Sequence, residues 1–472
     1  MTQPSTDLYR TIWRWHFYAG LFVVPMVLLL ALTGAIYLFK PQVEAWEERA
    51  WRDLPTAGAV SPDAQVRAAL AALPGARFHS YRLPRAEADA VLVHLGLPGD
   101  GHKMRDVFVS PQGKVVGMLD PEWRIMQVAH DLHGQLLIGK PGSWIVELAA
   151  SWAIVMILTG LYLWWPTGGG LAGVAWPRFS NGRKVLWRDL HAVTGFWVSG
   201  LAMVLLLTGL PWADVWGSAF KAVRTELGWI KGEQDWTIGG KPVDGGEHAE
   251  HDHAAMMQGQ GAAMPVGAHM MPDGTIMTAA PITLSRIVAE AKGQHLPFPV
   301  VVTPPGAPQR FGGKAKSEWT VRSDTQNRPQ RVTISYDPMT GAERSRETFA
   351  NKHVIDRVVG YGVAWHEGAL LGWINQLIGV LTAAMLMALS LTAFVMWRRR
   401  KPQDRLGAPP HARGSARHRG VTIIVLVLAA LLPLLALSLV AMLAIERLVL
   451  RRIAPLAQWL GLAAAGRRLP SG

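Results

Sequence analysis

Five apolar blocks limit what this chain can fold into. They cover about 17–39, 144–165, 192–212, 372–396 and 421–445. Each is close to the roughly 20 residues that carry a helix across about 30 Å of hydrocarbon. In lipid only helices and closed barrels satisfy their own backbone, and apolar runs of this length are helical. The first block is too long, and its flanks too bulky, for a cleaved signal peptide. No small-x-small site follows Phe39, so the block reads as an anchor. The fold class is an α-helical integral membrane protein, and its first partner is the lipid bilayer.

Charge gives the orientation. The net charge of +13 is concentrated at Arg178, Arg183, Lys184 and Arg188, between spans two and three, and at WRRRKPQDR with Arg413, Arg417 and Arg419, between spans four and five. Cytoplasmic loops carry such an excess, so the N-terminus lies inside and the two long loops lie outside. The positive charge is a topology signal and is not read as nucleic-acid binding. One feature disagrees: Arg447, Arg451, Arg452, Arg467 and Arg468 follow span five, which this scheme sends outside. The absence of cysteine rules out disulfides and thiolate metal sites. Two large outside domains and a basic inside suit a bacterial inner membrane with a periplasm. The expected layout is an N-terminus and span (1–40), an outside domain (41–143), a span (144–166), an inside loop (167–191) and a third span (192–212). A second outside domain (213–371, with an insertion at 247–277), a span (372–397), an inside loop (398–420), a fifth span (421–445) and a tail (446–472) complete it.

The chain reads as a duplication. Span one opens with W-R-W-H at His16 and span three with W-R-D-L-H at His191; in both, a Thr-Gly follows the histidine by 17 residues, at Thr33 and Thr208. Span two is preceded by His133 and span four by His366; here Thr159-Gly160 and Thr392-Ala393 follow by 26 residues. The outside loops repeat as well. PDAQVRAALAAL (62–73) and TLSRIVAEAK (283–292) have helical periodicity, and alternating strand-like runs follow each, ending in hairpins that turn at Pro111–Gly113 and Asp337–Gly341. Each loop is expected to be a small α+β unit, and the two repeats are expected to be related by an axis along the membrane normal.

Topology then selects histidines. His16 and His191 share the inside face, and His133 and His366 share the outside face. Each pair occupies equivalent repeat positions, so a quasi-two-fold axis would set two imidazoles facing each other across the bundle, as bis-histidine haem ligation needs. Trp13, Trp15, Trp187 and Trp365 and the small residues Gly20, Gly195 and Gly134 lie nearby. Two haems, one per face, would carry electrons across the bilayer. His130 lies one turn before His133 on the same helical face, but its repeat counterpart is Val363; it is a candidate for a propionate contact. Isolated His79, His94 and His102 read as surface residues. No catalytic residue is assigned, since no Ser/His/Asp set or HExxH motif is present.

These features resemble the PepSY-associated transmembrane helix family over about residues 8–400. The residues that carry the resemblance are W-R-W-H at 13–16, H-D-L-H-G at 130–134, W-R-D-L-H at 187–191 and the L-T-G span ends. The resemblance implies PepSY-type outside domains and an inner-membrane reductase that frees iron from siderophores with b-type haems. It also implies His16, His191, His133 and His366 as the matching ligands. The fifth span and its arginine tail lie outside the pattern.

The insertion complicates the substrate. It holds His248, His251, His253, Met256, Met257, Met264, His269, Met270 and Met271 in a Gly/Ala-rich stretch without helix or strand pattern. Thioether and imidazole ligands favour copper, with iron a second candidate. The expected substrate is a periplasmic metal or metal chelate: a ferric siderophore or Cu(II). The chain has no room for a flavin domain, and GGGLAG at 168–173 follows a span rather than a strand, so nucleotide binding is not expected. The electron donor would be a quinol or a separate cytoplasmic protein. A metal or metal-chelate transporter, or a metal-binding regulatory protein without haem, remain the alternatives.

Overall fold

The computed structural model describes residues 6–98, 103–166, 171–230, 237–238, 241–242, 269–270, 276–277, 282–307, 315–409 and 419–462. In chain order, α1 (Thr6–Tyr37), α2 (Lys40–Glu47) and α3 (Pro62–Ala72) precede four strands, β1 (Arg77–Arg82), β2 (Val91–Gly96), β3 (Met104–Val109) and β4 (Val115–Leu119). Helices α4 (Ile125–Gln135), α5 (Lys140–Trp164), α6 (Arg183–Gly209) and α7 (Asp214–Glu226) follow. Next come two short ladders, β5 (Thr237–Ile238) with β6 (Lys241–Pro242) and β7 (His269–Met270) with β8 (Ile276–Met277). Helix α8 (Leu284–Gly293) leads into β9 (Val300–Thr303), β10 (Trp319–Ser323), β11 (Val332–Tyr336) and β12 (Glu343–Thr348). The chain ends in α9 (Val354–His366), α10 (Trp373–Arg400), α11 (Arg419–Leu431), α12 (Pro433–Ile445) and α13 (Ala454–Leu460). These elements form two compact units, one of residues 1–38, 129–223 and 373–472, the other of 39–128 and 224–372.

The second unit is built on one eight-stranded antiparallel sheet in the order β12-β11-β10-β9-β1-β2-β3-β4. The hairpins appear where alternation and turn residues put them. What differs is their union. Tyr81 and Arg82 of β1 pair with Val302 and Val301 of β9, so the two expected α+β units share one continuous sheet. Pairing removes two open edges that would otherwise offer unpaired backbone to other chains. The main core lies under α3 and α8, where Val66 and Ala69 meet Leu284, Ile287 and Val288 over Val93, Leu95, Val107, Val302, Val321 and Ile334. Asp63 of α3 accepts the backbone N–H groups of Leu284 and Ser285 at 3.2 and 2.9 Å and so caps α8, tying the two helices together. On the opposite face Trp51 stacks on Phe108 at 4.0 Å between ring centroids. A chain of charges also lies there: His94 on Asp106, Arg124 on Asp106, Glu47 and Glu48, and Glu48 on Arg82.

The first unit is the apolar one. Among the described residues five helices are long and apolar enough to cross a membrane: Asp7–Tyr37, Lys140–Trp164, Arg183–Trp212, Trp373–Arg400 and Pro433–Leu450. Four of them close a ring in which α1 packs on α5 and α10, and α6 packs on the same two. The fifth is not the unbroken run expected over 421–445. Leu432 leaves the helical region at φ −125° and ψ 88°, and the helix restarts at Pro433. Proline has no N–H to give and disfavours helix in the residue before it.

The tail differs too. Arg14 donates to the carbonyl oxygens of both Pro409 and Gly461, whereas the indole of Trp216 donates to Leu431 at 3.1 Å, past the far end of α6. The segment between therefore leaves the Arg14 end of the bundle and returns to it. On the way back Leu432 and Leu435 pack against Ile154 and Leu210, and Trp152 donates to Ser438. Arg447, Arg451 and Arg452, which follow α12, thus lie on the stretch that returns to the Arg14 end instead of facing it from the opposite end, which eases the conflict in the charge pattern.

Candidate functional site

Three histidines, on α1, α4 and α6, are each set against a threonine on a neighbouring helix. His16 Nδ1 lies 2.9 Å from Thr159 Oγ1, joining the start of α1 to the end of α5. His133 Nδ1 lies 3.0 Å from Thr33 Oγ1, joining α4 to the end of α1. His191 Nδ1 lies 3.2 Å from the Leu389 carbonyl and 3.3 Å from Thr392 Oγ1, joining α6 to α10. The spacing that marks these pairs in the sequence puts His16 and Thr33 on one helix; the structure pairs them crosswise, each with a different chain neighbour.

The direction of each hydrogen bond follows from the threonine. A helical threonine turns its hydroxyl back onto the carbonyl one turn earlier. Thr33 donates to Leu29 at 2.9 Å, Thr159 to Val155 at 2.7 Å, and Thr392 to Leu389 at 2.9 Å. A hydroxyl has one proton. With it committed, each threonine oxygen is an acceptor toward the imidazole, and Nδ1 is the donor. At His191 the Leu389 carbonyl accepts in any case. In the neutral ring the lone pair then sits on Nε2, the form that binds a metal.

The residue after each threonine decides how near the ring comes. A Cβ added at Gly160 would sit 3.2 Å from His16 Cε1, and one at Gly34 would sit 3.3 Å from His133 Cε1. Both glycines leave space that the imidazole edge fills. The corresponding position beside Thr392 is Ala393, and there the bonds are longer. Trp164, at the end of α5 that carries Thr159, stacks on Phe196 of α6 at 4.1 Å between ring centroids, so His16 and His191 lie at the same end of the bundle.

His133 is followed by a sharp turn. Leu136 and Leu137 both adopt left-handed backbone, at φ 53° and 58°. Each costs of order 1–3 kcal/mol for a non-glycine residue, a cost that persists only where the surroundings impose it. Gly142 is required at this turn, because a Cβ there would overlap the Gln135 carbonyl. His130 is 45% exposed and bonded through Nδ1 to its neighbour Asp131 rather than to a threonine. His366 ends α9 in the sheet unit, and Glu367 after it is held by Arg328 at 3.2 Å, both side chains being buried.

Three polar features escaped the sequence reading. His94, expected at the surface, is bonded to the buried Asp106 at 2.7 Å. Burial alone would raise the Asp106 pKa, but the hydrogen bond and charge of His94, with Arg124 and Arg82, bring it below the usual carboxylate value. Asp189, two residues before His191, is fully buried and bound by Arg178 and Arg188. Glu147 of α5 is buried and accepts the N–H groups of Val215 and Trp216 at 2.9 and 3.1 Å, which makes it the cap of α7. Cross-strand register would have been needed to find the first.

Of the insertion, His248, His251, His253, Met256, Met257, Met264 and Met271 lie outside the described residues; His269 and Met270 are described only as backbone, in the β7–β8 ladder. Among the described residues no three of His, Asp and Glu converge as a metal site.

Residues 13–400 match the PepSY-associated TM region family. The chain belongs to this family. The match runs from Trp13 to the last arginine of α10, so it takes in His16, His133, His191 and His366 and ends before the broken fifth span. No curated protein matches this sequence.

Proposed function

We propose that this family member is a transmembrane electron carrier that holds b-type haem between histidines and reduces a metal species outside the cytoplasm. The observation that carries the reading is the crosswise seating of His16 and His191, two rings at one end of a four-helix ring, both donating through Nδ1. That donor set fits haem iron: two neutral imidazoles with Nε2 lone pairs, in a helical bundle core. When bound, a bis-imidazole haem passes one electron at a time and offers no open iron position. The chain's own part is to orient the two rings, keep them uncharged and exclude water.

His133 has the same seat as His16, which supports a second site; His366 joins it as a candidate ligand on the sequence repeat alone. Duplication is further supported by the mirrored strand order and by helices α3 and α8, which occupy equivalent places before β1 and β9. Arg178, Arg183, Lys184, Arg188 and Arg398–Arg400 share the His16 end, which makes that end cytoplasmic in a bacterial inner membrane. The donor is then a quinol or a cytoplasmic protein. The acceptor is a ferric chelate such as a siderophore complex, or Cu(II), for which the His/Met-rich insertion would serve as a collecting arm. Coupled transport finds less support, because Glu147, a carboxylate within a span, is already committed to the α7 cap.

The test is an absorption spectrum of detergent-purified protein, oxidised and then reduced with dithionite, with haem measured per chain. A Soret band, sharp α and β bands on reduction and about two haems per chain are expected. Colourless protein from haem-replete cells would sink the reading in favour of transport or metal binding.

A further inference from the structure

Resting on that reading, we propose that the threonine facing each histidine is a positioning residue that fixes which ring nitrogen is offered as ligand, and that the two ligands of the proposed inner haem are seated unequally. Among the described residues Thr159 Oγ1 alone accepts from His16 Nδ1, at 2.9 Å, and its own proton is spent on Val155. His191 has two acceptors, the Leu389 carbonyl at 3.2 Å and Thr392 Oγ1 at 3.3 Å. A side-chain change removes the first seat. At the second seat it leaves the backbone carbonyl in place. The packing agrees with this difference: Gly160 gives His16 a close approach, whereas Ala393 stands beside Thr392.

The chemical consequence concerns basicity. An imidazole that donates through Nδ1 is a better electron-pair donor at Nε2, which favours the oxidised metal. Removing the acceptor weakens that donation and favours the reduced metal. Thr159→Val keeps the shape and deletes the hydroxyl. It should raise the midpoint potential of one haem by about fivefold in the reduction equilibrium, the worth of one ordinary hydrogen bond, or about 40 mV at 59 mV per tenfold. Thr159→Ser should restore the original potential. Thr392→Val should give a clearly smaller shift, because Leu389 still accepts. Thr33→Val repeats the test at His133 on the other haem.

The experiment is potentiometric titration of full-length protein in detergent, with haem quantified per chain and low-spin EPR spectra recorded for each variant. An upward shift, or loss of one haem, in Thr159→Val that Thr159→Ser reverses and that Thr392→Val shows only to a clearly smaller extent supports the assignment. Unchanged potentials and g-values in Thr159→Val, or equal shifts in Thr159→Val and Thr392→Val, overturn it. Should the wild type hold no haem, the electron-carrier reading fails, and the seat is judged by nitrogen-15 spectra of the histidines. Nδ1 of His16 protonated in the wild type but not uniformly so in Thr159→Val upholds it; the same tautomer in both overturns it.

Discussion

The glycine beside Thr159 offers a sharper test of the same geometry, because one methyl group should act on the ring without touching the hydrogen-bond partner. In Gly160→Ala the new carbon would stand 3.2 Å from His16 Cε1. Ordinary carbon contacts need about 3.5–4.0 Å, so the ring must recede by about 0.3–0.8 Å. If it moves away from α5, the bond to Thr159, now 2.9 Å, stretches to about 3.2–3.7 Å, at or past the limit for N–H···O geometry. The loss is about 1 kcal/mol of ring orientation, a factor of about five in how often His16 points correctly. The assay is haem retained per chain through repeated detergent washes, together with the midpoint potential. Gly200→Ala is the control, since nothing lies within 4 Å of that added carbon. Gly160→Ala should lose haem from one site or shift its potential upward, while Gly200→Ala matches the wild type. If the two variants behave alike, close approach of the ring has no bearing on ligation.

Three other outcomes follow from the structure. Arg224 and Asp356 form a pair that is 1% exposed on each side; replacing either alone by alanine should cost about 3–5 kcal/mol, whereas replacing both with apolar residues should cost much less, as read by thermal unfolding of the purified protein. The Asp106 carboxyl has a folded pKa below its ordinary 3.8, so it contributes stability that is full above that value and is lost as pH falls toward the depressed one; melting temperature should drop with acid in the wild type and less steeply in Asp106→Asn. Because the chain has no cysteine, single cysteines report sidedness: Asn181→Cys and Gln458→Cys should share protection from an impermeant thiol reagent in intact cells, with Glu87→Cys labelled. Labelling of Gln458→Cys from outside would contradict the return of the tail to the Arg14 end.

How much of this was legible in the sequence depends on the range of the interaction. The β3–β4 and β11–β12 hairpins and the α3 and α8 helices announce themselves through alternation, periodicity and turn residues, all local. Four spans are plain from composition. The recurring offsets to Thr-Gly were visible, but their meaning was not, since a fixed spacing along one helix says nothing about which other helix supplies the partner. The joining of β1 to β9 depends on strand edges far apart in the chain, and no local pattern encodes it. In the sequence His94 reads as a surface residue, because its partner, Asp106, becomes its neighbour only through strand register. The break at Leu432 was written locally, in Pro433, but hydropathy averaged over the block hides a single proline.

For a histidine proposed as a ligand a threonine is an unusual partner, since carboxylates and carbonyls often take that place. The surroundings explain the choice. A carboxylate buried in a lipid-facing bundle carries a desolvation penalty that one neutral imidazole does not repay. Among the described residues this bundle buries acidic groups where the charge is met: Asp189 by two arginines, Glu147 by two backbone N–H groups at a helix start. Thr33 and Thr159 meet no charge and need none, because each satisfies its own proton within its helix. Such a seat sets the direction of the imidazole hydrogen bond while adding no net charge beside the ring. A bundle proposed to hold its histidines neutral and aimed inward as ligands would gain that control from a hydroxyl and a missing Cβ, two features that hydropathy cannot distinguish from the rest of an apolar span.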